Sequence, residues 1–151
     1  MIRSESDYRH ARERLEAEAK CLAEYAGACA SKGFSPDEVA KLMEPLQSFH
    51  ARLVEEVEGY ERLRRGEFGE LENLGGLGHL LIGLRIAKGI TQRQLAERLG
   101  VSETMVSRDE RNEYRGITVD RAHRVLDALG AWLVTRVQLD RPNVPGTAAS
   151  R

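Results

Sequence analysis

The side chains with intrinsic chemistry in this sequence fail, one set after another, to assemble into a reaction centre. Ser107, Asp109 and His123 supply the residue types of a nucleophilic triad, but nothing in their placement brings them together, and an enzyme is not expected. The four histidines, His10, His50, His79 and His123, have no spacing that sets two on one helical turn. No CxxC or Cys/His ligand pattern occurs either, so neither a metal nor another cofactor is expected. Cys21 and Cys29 lie eight residues apart in a helical stretch. At about 1.5 Å per residue that is about 12 Å, too far for a disulfide within one straight helix, and both are expected as buried thiols. Residues 66–78 carry five glycines and invite comparison with a phosphate loop. No strand precedes them and no Lys-Ser or Lys-Thr pair follows, so they read as a flexible boundary between two halves.

What remains is chemistry by shape. From Leu77 onward the apolar pattern predicts short helices over 77–88, 91–99, 102–111 and 118–129. Thr91 is placed to cap the second of these, with Leu95, Ala96 and Leu99 on its inner face. Gly100 ends it and Ser102 caps the next, leaving Gly100-Val101-Ser102 as the whole turn. So short a link makes two helices cross steeply, with Ala96 small enough for close approach and Val101 and Val106 filling the corner. A helix held out in this way can enter a DNA major groove.

These residues resemble the Cro/CI, or XRE-type, helix-turn-helix regulators over about 77–130. The resemblance runs through Leu84-Arg85, Gly89-Ile90-Thr91-Gln92, Leu95-Ala96, Leu99-Gly100-Val101-Ser102, Val106-Ser107-Arg108, Glu110 and Ala128-Leu129-Gly130. Asn112 stands where the family often has glycine, and Met105 where it more often has a small or polar residue. By this resemblance the recognition helix is 102–111, and Glu103, Thr104, Ser107 and Arg108 read base edges. Arg108 leads, because a guanidinium donates two hydrogen bonds to guanine O6 and N7. Gln92 and Ser102, with Arg93, Arg111, Tyr114 and Arg115, are expected at the sugar-phosphate backbone. Arg85 and Glu110 are expected to form a structural ion pair, and Arg121 and Arg124 to be solvated surface charges. The resemblance implies double-stranded DNA as partner, a homodimer, and a repressor on a two-fold operator.

The first half must be read by itself. A helix is predicted over 4–30, its stripe marked by Tyr8, Leu15, Leu22 and Cys29. Ser35-Pro36-Asp37-Glu38 then starts a second, with a seam of Val39, Leu42, Leu46, Phe49, Leu53, Val57, Tyr60 and Leu63. Pro45 is expected to kink or divide that helix. Joined by a short loop, the two make an antiparallel hairpin over 1–65 that needs a further partner: a second subunit, the downstream domain or another protein. The fold class is therefore all-α, a long hairpin followed by a four- to five-helix domain.

Charge divides along the same line. Residues 1–72 hold 11 Lys/Arg against 16 Asp/Glu, whereas 73–130 hold 9 against 7, so the net charge of −1 hides a basic second half. The acidic hairpin supports an alternative, an antitoxin or adaptor that binds a protein partner and uses DNA binding for autoregulation. Residues 131–140 are β-branched and loosely alternating. They suit a short strand shared between two subunits, or a strand or extended helix packed on its own domain. From residue 141 on, Pro142, Pro145, Gly146 and small residues predict a disordered tail. There is no N-terminal apolar segment and no apolar run near 18 residues, so membrane insertion is not expected and the cytoplasm is.

Overall fold

In the computed structural model, residues 1–138 are described and form six helices with no strand among them. The expected tail, 141–151, and the end of the expected strand lie outside these residues. Two long helices, α1 (Glu5–Ser31) and α2 (Pro36–Arg64), form the hairpin. Four short ones follow: α3 (Leu77–Ala87), α4 (Gln92–Leu99), α5 (Glu103–Arg111) and α6 (Val119–Leu129). None is long and apolar enough to cross a membrane.

The starts follow local chemistry. Ser4 accepts from the backbone N–H of Asp7 to cap α1. At α2 the Ser35 hydroxyl accepts from Glu38 N while the Glu38 carboxylate accepts from Ser35 N at 2.9 Å, a reciprocal capping box with Pro36 at the first helical position. Those hydrogen bonds hold the Glu38 carboxyl below the usual carboxylate range. Ser35→Ala should therefore cost about 1 kcal/mol of stability in a denaturant titration.

Between the caps, α2 narrows one expectation and departs from another. It runs through Pro45 without dividing, because Met43 before the proline is buried and His50, Leu53 and Val54 after it are half-buried. Packing on both sides outweighs the one backbone hydrogen bond that proline cannot donate. The seam also splits. Val57 and Tyr60 are buried and Val39, Leu53 and Leu63 half-buried, but Leu42, Leu46 and Phe49 are exposed. Over its first half α2 instead turns Met43 and His50 toward α1, with Val54 continuing that line, each one residue on from the seam positions Leu42, Phe49 and Leu53, and the two lines meet at buried Val57. Cys21 corrects a further expectation, since it is exposed and only Cys29 is buried.

At its open end the hairpin merges with the short helices. Ile2, Tyr8, Val57 and Tyr60 belong to the same apolar core as Leu81, Ile82, Ile86, Leu95, Val106, Val125 and Leu129. The Tyr8 and Tyr60 rings stack at 5.0 Å. Their hydroxyls donate crosswise, Tyr8 to Glu61 at 2.6 Å and Tyr60 to Glu5 at 3.3 Å. Burial first, and then the Glu5 charge, raises the Tyr60 pKa. The glycine-rich stretch after α2 is anchored rather than loose at Phe68. A Cβ on Gly83 would lie 3.0 Å from Phe68 Cε1 and 2.9 Å from Leu63 Cδ2, so the glycine gives both side chains room to pack closely on α3.

Helix α6 closes the fold, with Gly130 in the left-handed region at its end (φ 59°). Two cations cap its C-terminal carbonyls: Arg98 donates to Ala128 O and Lys88 to Gly130 O, each at 2.9 Å. The expected strand is not formed in residues 131–138, where Trp132, Val134 and Val137 are exposed. A single chain offers that segment no neighbouring strand to bond, which is the physical reason for the difference.

Candidate nucleic-acid interface

Helix α4 starts at a Thr91 capping box, with Thr91 accepting from Gln94 N at 3.1 Å and the Gln94 side chain accepting from Thr91 N at 2.8 Å. It ends at Gly100, whose φ of 66° is easy for glycine and costly for other residues. Val101 N then donates back to Ala96 O at 3.0 Å, tightening the end of the helix. Ser102 caps α5 by accepting from Met105 N at 3.3 Å. Ala96 and Val106 are almost fully buried where the two helices meet, and Val101 is half-buried beside them. The expected turn and its corner are therefore in place.

On α5, Val106 and Glu110 sit one turn apart and point inward, both buried. Helical geometry then turns Glu103, Thr104, Arg108 and Arg111 outward, all exposed, with Ser107 half-buried at the edge of that face. Arg108 makes no ion pair and no side-chain hydrogen bond among the described residues, so its donors face solvent. Met105 is also exposed and places a flexible thioether beside these polar groups.

The buried side of α5 holds the two buried charged residues among those described, Arg85 and Glu110. Arg85 is 4% exposed and Glu110 0%, and the guanidinium grips the carboxylate through both Nε and Nη2, the latter at 2.7 Å. Arg85 also donates from Nη1 to Ile90 O at 2.8 Å and from Nη2 to Arg3 O at 2.9 Å. Gln92 Nε2 completes the carboxylate shell by donating to Glu110 Oε2 at 2.8 Å. This one network joins the segment before α1, helix α3, the first residue of α4 and the recognition helix. A buried charge pair needs such complete satisfaction to be tolerated.

Of the residues expected at the DNA backbone, Gln92 lies half-exposed at the α4 N-terminus, and Ser102, Arg93, Arg111 and Arg115 are exposed. Arg93 pairs with Glu97 on its own helix at 3.0 Å. Tyr114 does not belong with them: it is 5% exposed and part of the core, so it is removed from the phosphate contacts. Its φ of 52° turns it inward after α5, and burial, reinforced by the Glu110 and Asp109 charges, pushes its hydroxyl pKa up. Arg121 also departs from expectation, since it is half-buried and pairs with Asp109 at 3.2 Å rather than standing in solvent. Arg124 is exposed.

Sequence reasoning placed the Arg85–Glu110 pair but missed the Arg3 carbonyl, the Gln92 link and the Arg121–Asp109 pair. The first has no local signal, because a backbone carbonyl 82 positions away is not encoded by residue type. The Asp109–Arg121 pair joins α5 to α6 across a turn whose geometry decides the contact. Ser107, Asp109 and His123 form no relay, for Asp109 is held by Arg121 and His123 faces Asp127 at 3.1 Å.

The arrangement is that of a DNA-binding helix-turn-helix domain. Residues 82–131, about a third of the chain, match the helix-turn-helix family, so this segment is a helix-turn-helix domain similar to those of the Cro/CI, XRE-type regulators, which supports DNA binding in transcription regulation. Comparison with curated proteins and with solved structures finds no match.

Proposed function

We propose that the protein is a sequence-specific repressor that binds a two-fold operator as a homodimer, with one recognition helix in the major groove of each half-site. The observation that carries this reading is the outward face of α5: Thr104, Arg108 and Arg111 exposed around a rigid axis that Val106 and Glu110 fix from behind. Arg108 reads a guanine, Glu103 accepts from a cytosine amine, and Thr104 and Ser107 complete the base contacts. Gln92, whose amide keeps a second N–H after bonding Glu110, anchors a phosphate where the backbone N–H groups opening α4 also favour an anion. Ser102, Arg93, Arg111 and Arg115 flank it.

The test separates base reading from phosphate binding. An operator is first selected by the protein from randomised duplexes, and affinities are then measured by mobility shift over a range of salt. Arg108→Ala should lose about 1–3 kcal/mol of discrimination at one base pair in each half-site. Arg111→Ala should instead weaken all duplexes alike and lower the salt slope by about one per contact. Unchanged sequence preference in Arg108→Ala would refute the assigned readout.

A further inference from the structure

The first half of the protein contains an apolar stripe that its own fold leaves uncovered. Leu42, Leu46 and Phe49 are 43%, 43% and 64% exposed, and half-buried Leu53 continues the line. With aromatic side chains taken at about 200 Å² and leucines slightly less, that is about 300 Å² of apolar surface per copy. Two such surfaces make about 600 Å². Interfaces are a little over half apolar, so this corresponds to a contact of about 1,000 Å², the lower size of a specific one.

From this stripe we infer that α2 pairs antiparallel with α2 of a second copy, so that two hairpins form the dimer proposed above. The inference rests on that homodimeric reading and names its surface. Two features favour a second copy over another protein. The steps from Leu42 to Leu46, Phe49 and Leu53 are four, three and four residues, the same read in either direction. Antiparallel copies thus set Leu42 against Leu53 and Leu46 against Phe49, each contact occurring twice, as a two-fold interface requires. Charge is the second feature. Between residues 38 and 53, Glu38 and Glu44 are matched by Lys41 and Arg52. Residues 54–72 hold seven carboxylates against three arginines. The acidic excess of the first half is therefore concentrated at the end of α2 and in the stretch after it, beyond the stripe. Two copies meet there without net repulsion, and a basic partner finds no opposing field.

Sedimentation of the full chain should give a dimer, and Leu46→Glu with Phe49→Glu a monomer of unchanged helical content, since both side chains are exposed. Joined recognition helices gain from effective concentration, so the monomeric variant should bind the two-fold operator about 100-fold more weakly while keeping its preference for a single half-site. Register is read by oxidation in a background of Cys21→Ser and Cys29→Ser. Mixed Leu42→Cys and Leu53→Cys copies should cross-link to each other. Leu42→Cys alone should not, its two sulfurs lying about 16 Å apart along the axis. A monomeric wild type, a doubly substituted variant that remains dimeric, or a Leu42→Cys homodimer cross-link would each overturn the inference. A monomeric wild type would remove the homodimer from the function proposed above as well, whereas the other two outcomes would leave it standing with a different surface or register; the base readout by α5 fails separately, if half-site preference is absent from every form.

Discussion

Glu110→Ala should destabilise the protein by about 3–5 kcal/mol in urea titration, most of the stability of a domain at the lower end of the usual range of about 5–15 kcal/mol. The carboxylate is fully buried and accepts from Arg85 and Gln92. Removing it leaves a guanidinium that is 4% exposed with only the Ile90 and Arg3 carbonyls for company. The loss is mainly that stranded charge, not the net worth of the pair. Replacing both partners by apolar residues of similar volume, Arg85→Met with Glu110→Leu, should therefore recover most of the stability. Function should not recover with it. Without Glu110 the Gln92 amide loses the acceptor that holds it at the start of α4, and Arg3 O loses its donor. The doubly substituted protein should fold yet bind its operator more weakly than wild type. Equal operator affinity would show the network to be scaffold alone.

The network also shows where sequence is legible and where it is not. The helix-turn-helix can be read because its signals are local: a Thr91 cap, a left-handed Gly100 and a Ser102 cap lie within twelve residues and each is satisfied by its neighbours. The inward spacing of Val106 and Glu110 is similarly a property of one helix. Long-range approach is not readable in this way. Nothing about Tyr114 distinguishes an exposed aromatic contact from a core residue until the backbone turns left-handed at Glu113 and Tyr114, with φ of 53° and 52°. Asn112, where the family often has glycine, keeps an ordinary φ of −86°, so that departure costs the backbone nothing at its own position. In the hairpin, periodicity identifies an apolar seam on α2 but not which neighbour fills it. The seam and the line facing α1 differ by a single residue's rotation, and only packing decides between them.

That left-handed turn leads to the second large effect, in which one substitution has opposite signs at two sites. Gly27→Ala in α1 should stabilise by about 0.5–1 kcal/mol, because a Cβ there meets nothing within 4 Å and alanine is the better helix former. Gly78→Ala in α3 gains the same propensity and should nevertheless destabilise by about 2–3 kcal/mol. Its Cβ would collide with the backbone carbonyl of Glu113 and stand 3.4 Å from Tyr114 Cβ. A flexible side chain could move aside, but this obstacle is main chain already held at positive φ, so α3 or the turn after α5 must shift. That turn carries Arg115, follows Arg111 directly and holds Tyr114 in the core beside Glu110. The displacement is thus expected to reach the DNA face. Thermal melts of the two variants would show the opposite signs, and mobility shifts at a temperature where both are folded should show weakened operator binding for Gly78→Ala alone. A Gly78→Ala protein as stable as wild type would mean that the start of α3 and the 113–114 turn are not in contact, and with that contact would go the route by which α3 braces the end of the recognition helix.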